Sequence, residues 1–426
     1  MRFMKPISPI KPMMPMSLIA IMLIFSLTLS AQTPETPETS ETPETPETPE
    51  TSETPTRGPI IKGNVYGGGN QGNVVGNSTV TVKAGDIGDV YGGARMADVG
   101  GRTFVNLDGE HASADILIRS VYGGNDIAGN IGNSGEETDV PQELDHVLKG
   151  TQTQEEHPMK NAIDNTWKTF VRSSRSTKTV NEQVKEKFPL VAGSVFGGGN
   201  GNYYYDPYPD QDGNYYVYLK EGDKDYIATR KTPFNKPELA KTYLELTGGL
   251  LAHVYGGGNF ATVTENTTIC IDDKSDDLIT QAANYAADTG YPTEDVIQYL
   301  IAKVELPTFQ SNFTHWDYHF ARVFGGNNKA DMAIQPVWNL QRGKIRDLYS
   351  GGNNGRMTHP NGLLLDIHPS PQENIQQTDS LKIENVYGGC RMADVRPKTD
   401  VWDDNLYNPV TDDNGDYKYV DQIDKM

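Results

Sequence analysis

Two cysteines, Cys270 and Cys390, are all that a chain of 426 residues contains. Two thiols cannot build a disulfide framework, and neither has neighbours at the spacing of a zinc ligand pair. Positive charge is also scarce: 37 Lys and Arg stand against 57 Asp and Glu, a net of −20. Such a chain offers no basic face for nucleic acid or anionic lipid, and its acidic excess describes a solubilising surface. What is plentiful is glycine (43) and tyrosine (22), a composition that favours β-structure with many tight turns.

The N-terminal end reads as an address. Arg2, Lys5 and Lys11 precede the apolar run "SLIAIMLIFSLTLS" (Ser17–Ser30), and Ala31 offers a small-residue exit. This is the layout of a secretory signal peptide over residues 1–31. Pro15 and the shortness of the run, against the roughly 20 residues of a spanning helix, argue against an anchor. The expected location is therefore secreted or at the cell surface, with no membrane insertion of the mature chain. Residues 32–57 are a Thr/Pro/Glu stalk in which proline recurs about every third position. No apolar residue is there to build a core, so the segment reads as an extended spacer or a disordered tail. Fully stretched as polyproline II it reaches about 75 Å at about 3.1 Å per residue.

From residue 58 onward one phrase keeps returning. "VYGGGN" begins at Val65 and Val254; its relatives begin at Val90, Val121, Val195, Val323, Leu348 and Val386. The two shortest intervals between starts are both 25 residues, and the longer ones read as one or more periods plus insertions. The first period holds Val65–Gly69, "GNVVGN" (Gly72–Asn77) and the strictly alternating "STVTVKAG" (Ser78–Gly85). Three short strands and three turns in about 25 residues predict a right-handed parallel β-helix; a propeller blade needs nearer 40. The phrase Val should point inward, with an apolar partner three residues earlier at Ile87, Ile118, Leu251, Ile345 or Ile383. The glycines should make the corner, through positive φ or close backbone approach. Asn70, Asn200, Asn259, Asn328 and Asn353 share the sixth position. They are placed to form an amide ladder, although Asn also suits the turn itself.

A phosphate-binding loop is excluded on context, since no copy continues into Lys-Ser/Thr and a helix; no cofactor is expected. The second position is aromatic in every copy: Tyr66, Tyr91, Tyr122, Phe196, Tyr255, Phe324, Tyr349 and Tyr387. Alternation places these rings opposite the inward Val. They form a candidate surface-binding ladder for sugar rings or a protein partner; the competing reading is a self-stacking column covered by insertions.

Insertions are expected at about 131–188, 201–247, 272–320 and 397–426. The first should be loop with partial helix around Asn161–Val171, and the third two short helices. The second carries a hairpin signal with Asp212-Gly213 at its turn. A cousin of that hairpin occupies 407–420: Tyr205, Pro207, Asp210, Gly213 and Tyr215 match Tyr407, Pro409, Asp412, Gly415 and Tyr417. Its position predicts that the chain is cut within an insertion.

No catalytic or metal constellation is recognisable. His315 and His319 stand four apart, but the Glu of a metalloprotease helix is missing. His359 and His368 have no nucleophile partner. "DQDG" and "DDNGD" lack calcium-loop spacing. Arg95, Asp98, Arg391 and Asp394 lie in "ARMADV" and "CRMADV" and read as repeat positions.

The repeated phrase, the leader and the Thr-Pro-Glu stalk resemble the large glycine-rich, adhesin-like surface proteins of Bacteroidota. The likeness spans about Ile60–Val395. It implies a β-helix displayed outside the cell, non-catalytic, with adhesion to a glycan or to a host or bacterial surface protein. The alternative for such a scaffold is a polysaccharide lyase or glycoside hydrolase, which clustered Asp, Arg or Lys from neighbouring repeats would favour.

Overall fold

The computed structural model describes residues 58–114, 116–132, 167–180, 183–187, 189–273, 320–333, 335–358, 381–393 and 395–396, with single residues at 363, 365 and 367. All belong to the compact unit Glu53–Met426. The leader, the stalk, the helices expected within 272–320 and the segment 397–426 lie outside the described residues.

The described residues are all-β, without a helix, and 15 strands join in one large, mainly parallel sheet. Its first series of strands carries the phrase. Val65–Tyr66, Gly85–Tyr91, Ile116–Tyr122, Pro189–Phe196, Leu250–Tyr255, Phe320–Phe324, the second half of Val337–Tyr349, and Leu381–Tyr387 pair in chain order, each parallel to the next. The registers set Val65 beside Val90, then Val121, Val195, Val254, Val323, Leu348 and Val386, so all eight copies align in one column. A second series runs Ser78–Val82, Thr103–Gly109, Thr169–Val180, Thr242–Leu246, Thr267–Asp272 and the first half of Val337–Tyr349. Between the two, short bridges join Val74 to Val99, Val99 to Ile131, Leu239 to Val263, and Met332 to Met357. "GNVVGN" is thus a single bridge at Val74 rather than a strand.

Alternation explains which side each series buries. In Ser78–Val82, Val80 and Val82 are buried while Thr79 and Thr81 are exposed. They join one core with Val90, Val121, Val195, Val254 and Val323, and with Ile87, Ile118, Leu251 and Ile345 three residues earlier. Each such side chain contributes about 1.5–3 kcal/mol by leaving water. The segment around Asn161–Val171 does not end in helix. Thr169–Val180 is a strand, because Phe170 and Val171 fall in register with Phe104 and Val105 and extend their columns.

Close approach, not left-handed backbone, explains the phrase glycines. None of them has positive φ. A Cβ on Gly92, Gly123, Gly197, Gly256 or Gly325 would instead come within 3.0 Å of the next repeat's third-position carbonyl oxygen. That oxygen is also taken by a hydroxyl: Thr103, Thr169, Thr242 and Thr267 Oγ1 donate to Gly123, Gly197, Gly256 and Gly325 at 2.6–2.8 Å. Ser78 does the same to Gly92 at 2.6 Å. These hydroxyls open every second-series strand up to Thr267, a repeat signal that the phrase itself overshadows.

Candidate binding surface

The aromatic ladder exists and is mostly covered. From Tyr66 through Tyr91, Tyr122, Phe196, Tyr255, Phe324 and Tyr349 to Tyr387, successive rings stack with centroids 4.5–4.9 Å apart and planes within 13°. The six middle rings are buried together; only Tyr66 and Tyr387, at the two ends, reach solvent appreciably. The expectation of a surface-binding column is therefore corrected for those six. Their faces are spent on one another, at the spacing of neighbouring strands.

The amide ladder lies alongside. Asn353 Nδ2 donates to Asn328 Oδ1 at 2.8 Å, Asn328 to Asn259 at 2.8 Å and Asn259 to Asn200 at 2.9 Å. Asn200 donates in turn to Asp126 at 2.9 Å, so the aspartate of "VYGGND" ends the run as a pure acceptor. Arg95 and Arg391 occupy the same position and donate to Asn70 and Asn353 at 3.1 and 3.2 Å. Asp126 also accepts from the Tyr66 and Tyr203 hydroxyls at 2.8 and 2.6 Å. Burial, together with Asp126, pushes the Tyr66 and Tyr203 phenols far above their ordinary value.

The aromatics that reach solvent, half-buried or exposed, sit mainly elsewhere. Tyr204–Tyr205, Tyr215–Tyr218 and Ala228–Arg230 form a three-stranded antiparallel sheet within the expected hairpin insertion. Its turn closes as the sequence suggests: Gly213 has φ +78°, and Asp210 accepts from the Asn214 and Asp212 backbone N–H groups at 2.8 and 2.9 Å. The Tyr216 hydroxyl also donates to Asp210 at 2.6 Å. These bonds hold the Asp210 carboxyl well below its usual range, Tyr216 foremost, so the loop is explained as a turn.

Alternation splits the small sheet into two faces. Tyr205, Val217 and Ala228 point one way and pack with Met96, Ile127 and Ala128 of the phrase corners. The Tyr205 hydroxyl donates to the Ile127 carbonyl at 2.6 Å, and Arg95 Nη2 donates to the Ile227 carbonyl at 2.7 Å. Tyr204, Tyr216 and Tyr218 point the other way. Tyr218 lies 6.4 Å from Tyr204 and 6.3 Å from Tyr216, and the exposed Tyr226 ring stands 5.1 Å from Tyr216. Tyr208, nearby, is 77% exposed. Desolvation, and after it Glu221 and Asp206, raise the Tyr204 phenol; those two carboxylates border the platform with negative charge.

A second gathering of polar side chains lies beside the phrase column. Register aligns Ser194, His253, Arg322, Asp347 and Asn385 on successive strands. Asp347 accepts from Arg346 at 3.0 Å and Asn385 at 3.0 Å, and pairs with Arg322 at 3.5 Å. His253, its Nε2 shut from solvent, is held down to about 3 by desolvation and then by Arg322, Arg346 and Arg391. Asp108, Glu110 and His111 also bring potential metal-ligand atoms within 4.8 Å. Asp108 is already engaged by His111 at 3.0 Å and Lys83 at 3.6 Å, and Glu110 by Arg172 at 3.0 Å. His315, His319, His359, His368 and Asp394 lie outside the described residues.

Comparison with known protein families, characterised proteins and solved structures finds no match to this chain.

Proposed function

We propose that the protein is a non-catalytic, secreted or cell-surface binding protein built on a right-handed parallel β-helix, and that it grips a neutral glycan through its tyrosine sheet. The two strand series and the bridge line between them would be the three faces of the helix. The observation that carries the binding role is the outward grouping of Tyr204, Tyr216, Tyr218 and Tyr226 on a sheet whose other face is anchored. A half-exposed aromatic cluster on a rigid support, with Tyr226 exposed at the surface, serves recognition, since it loses little conformational entropy on contact. A sugar's polarised C–H groups suit the negative face of a tyrosine ring, and its hydroxyls suit the phenols and flanking carboxylates. Those carboxylates repel anions, which favours a neutral ligand. The signal-like leader is consistent with display outside the cell.

A glycan array probed with the purified chain tests this. Binding to neutral glycans that falls at least tenfold in the Tyr216→Ala/Tyr218→Ala variant supports the reading; binding unchanged by that variant, or none at all, rejects it.

The gathering of Arg322, Arg346, Asp347 and His253 from successive repeats favours one second reading, a lyase or hydrolase acting on acidic polysaccharide. Release of unsaturated or shortened oligosaccharides that is lost in Arg346→Ala would replace the first reading with this one.

A further inference from the structure

Two carboxylates share the outward face of the tyrosine sheet. Asp206 N donates to the Tyr216 carbonyl at 2.9 Å, which extends the pairing of Tyr204 with Tyr218 by two residues. Alternation then puts Asp206 on the same side as Tyr204, directly across from Tyr216. Glu221 follows Tyr218 by three residues, and after desolvation it and Asp206 lead the influences on the Tyr204 phenol. Asp206 accepts the Tyr208 backbone N–H at 3.4 Å; among the described residues neither carboxylate is in an ion pair.

The inner side of the same sheet shows what the outer side lacks. There Arg230 lies 4.2 Å over the Phe234 ring, and Lys236 lies 3.6 Å over Phe260 and 5.8 Å from Tyr205. Among the described residues no cation lies over Tyr204, Tyr216, Tyr218 or Tyr226. A tyrosine face and a carboxylate both attract positive charge, so the outer side is complementary to a cation that the chain does not supply. A neutral sugar answers the rings and leaves the carboxylates in water. A protonated amino sugar answers both, with its C–H face on a ring and its ammonium beside a carboxylate. We infer that the tyrosine sheet selects glycans that carry free amino groups, and that Asp206 and Glu221 determine this specificity. The inference rests on the glycan reading of this sheet and narrows it: the carboxylates that repel anions also choose among the remaining sugars.

Calorimetry on the full chain tests it with three oligosaccharides of equal length that differ at one ring position. A cello-oligosaccharide carries a hydroxyl there, a chito-oligosaccharide an acetamide, and its deacetylated form a free amine. At mildly acidic pH, where the amines are protonated and the carboxylates ionised, the amine form should bind about tenfold tighter than either neutral form. Asp206→Asn/Glu221→Gln should bring the three within about twofold of one another. Glu238→Gln/Glu265→Gln removes the same charge from exposed positions elsewhere and should keep the preference. Equal or tighter binding of a neutral form by the unaltered chain overturns the inference and leaves the glycan reading standing. Equal loss of preference in the control pair also overturns it, because the acidity of the whole chain would then be the cause. Binding of none of the three sinks the glycan reading and the inference with it. A lysine-rich peptide bound more tightly than the amine form, and lost in Tyr216→Ala/Tyr218→Ala, would reassign the platform to a basic protein segment.

Discussion

Gly256 and Gly388 occupy the same place in the phrase, so they make a matched pair for substitution by alanine. At Gly256 a new Cβ would press on the Gly325 carbonyl oxygen and lie 3.0 Å from the Thr267 Cβ and Oγ1. The collision is with backbone, which cannot rotate away, so the neighbouring strand must shift. Overpacking of this kind costs about 1–3 kcal/mol. The shift also strains the 2.8 Å bond from Thr267 Oγ1 to that oxygen, a loss of about 1 kcal/mol. The expected destabilisation is therefore about 2–4 kcal/mol. At Gly388 no atom lies within 4 Å of the new Cβ and φ is not in the left-handed region. Restricting the unfolded chain should then make Gly388→Ala neutral or stabilising by up to about 1 kcal/mol. Urea unfolding followed by far-ultraviolet circular dichroism reads both. Equal shifts in the two variants, or a silent Gly256→Ala, would refute the argument that backbone approach demands glycine. Ser350 already carries a Cβ at this position and its Oγ is buried without a partner, so in Ser350→Gly the relief of that hydroxyl, about 1–3 kcal/mol, should offset the roughly 1 kcal/mol that the freer unfolded chain costs.

Replacing Asn259 by Ala in the amide ladder leaves Asn200 Oδ1 and Asn328 Nδ2 without their partners, and should cost about 2–5 kcal/mol, whereas Asn70→Ala at the exposed end should cost under about 1 kcal/mol; thermal unfolding compares them. His253 titrates near 3 in the folded chain and near 6.5 when unfolded, so the unfolded state binds the extra proton between those values. Stability should fall as pH drops from 6.5 towards 3, and urea midpoints for His253→Gln should show a shallower fall. Burial raises the Tyr91, Tyr122 and Tyr255 phenols above 10, so stability should instead decline as pH rises past 10. Phenolate absorbance for those rings should appear only together with unfolding. Burial pushes the Cys270 thiol up to about 12, while Cys390 is half-buried; a thiol reagent at neutral pH should label Cys390 much faster.

The ladders and the core column were legible in the sequence because like positions one period apart are direct neighbours. Val65 and Val90, 25 residues apart, pair across adjacent strands, as do Val74 and Val99. A repeated residue is then necessarily beside itself, and Val, Tyr and Asn at fixed places in the phrase become columns without further information. The sequence also announced the hairpin turn at Asp212-Gly213, because its chemistry is local. Tertiary structure alone decided which aromatics meet solvent. Whether Tyr122 is a surface or an interior residue depends on Asn259 and other groups brought in from distant repeats, and no local pattern encodes that. Which side of Tyr215–Tyr218 faces outward was likewise set by the seating of Val217 on Met96, 121 positions away. The strand at Thr169 was missed for the same reason. Its polar sequence is weak by itself and is held extended by Phe104 and Val105 on one side and Tyr243 and Leu244 on the other.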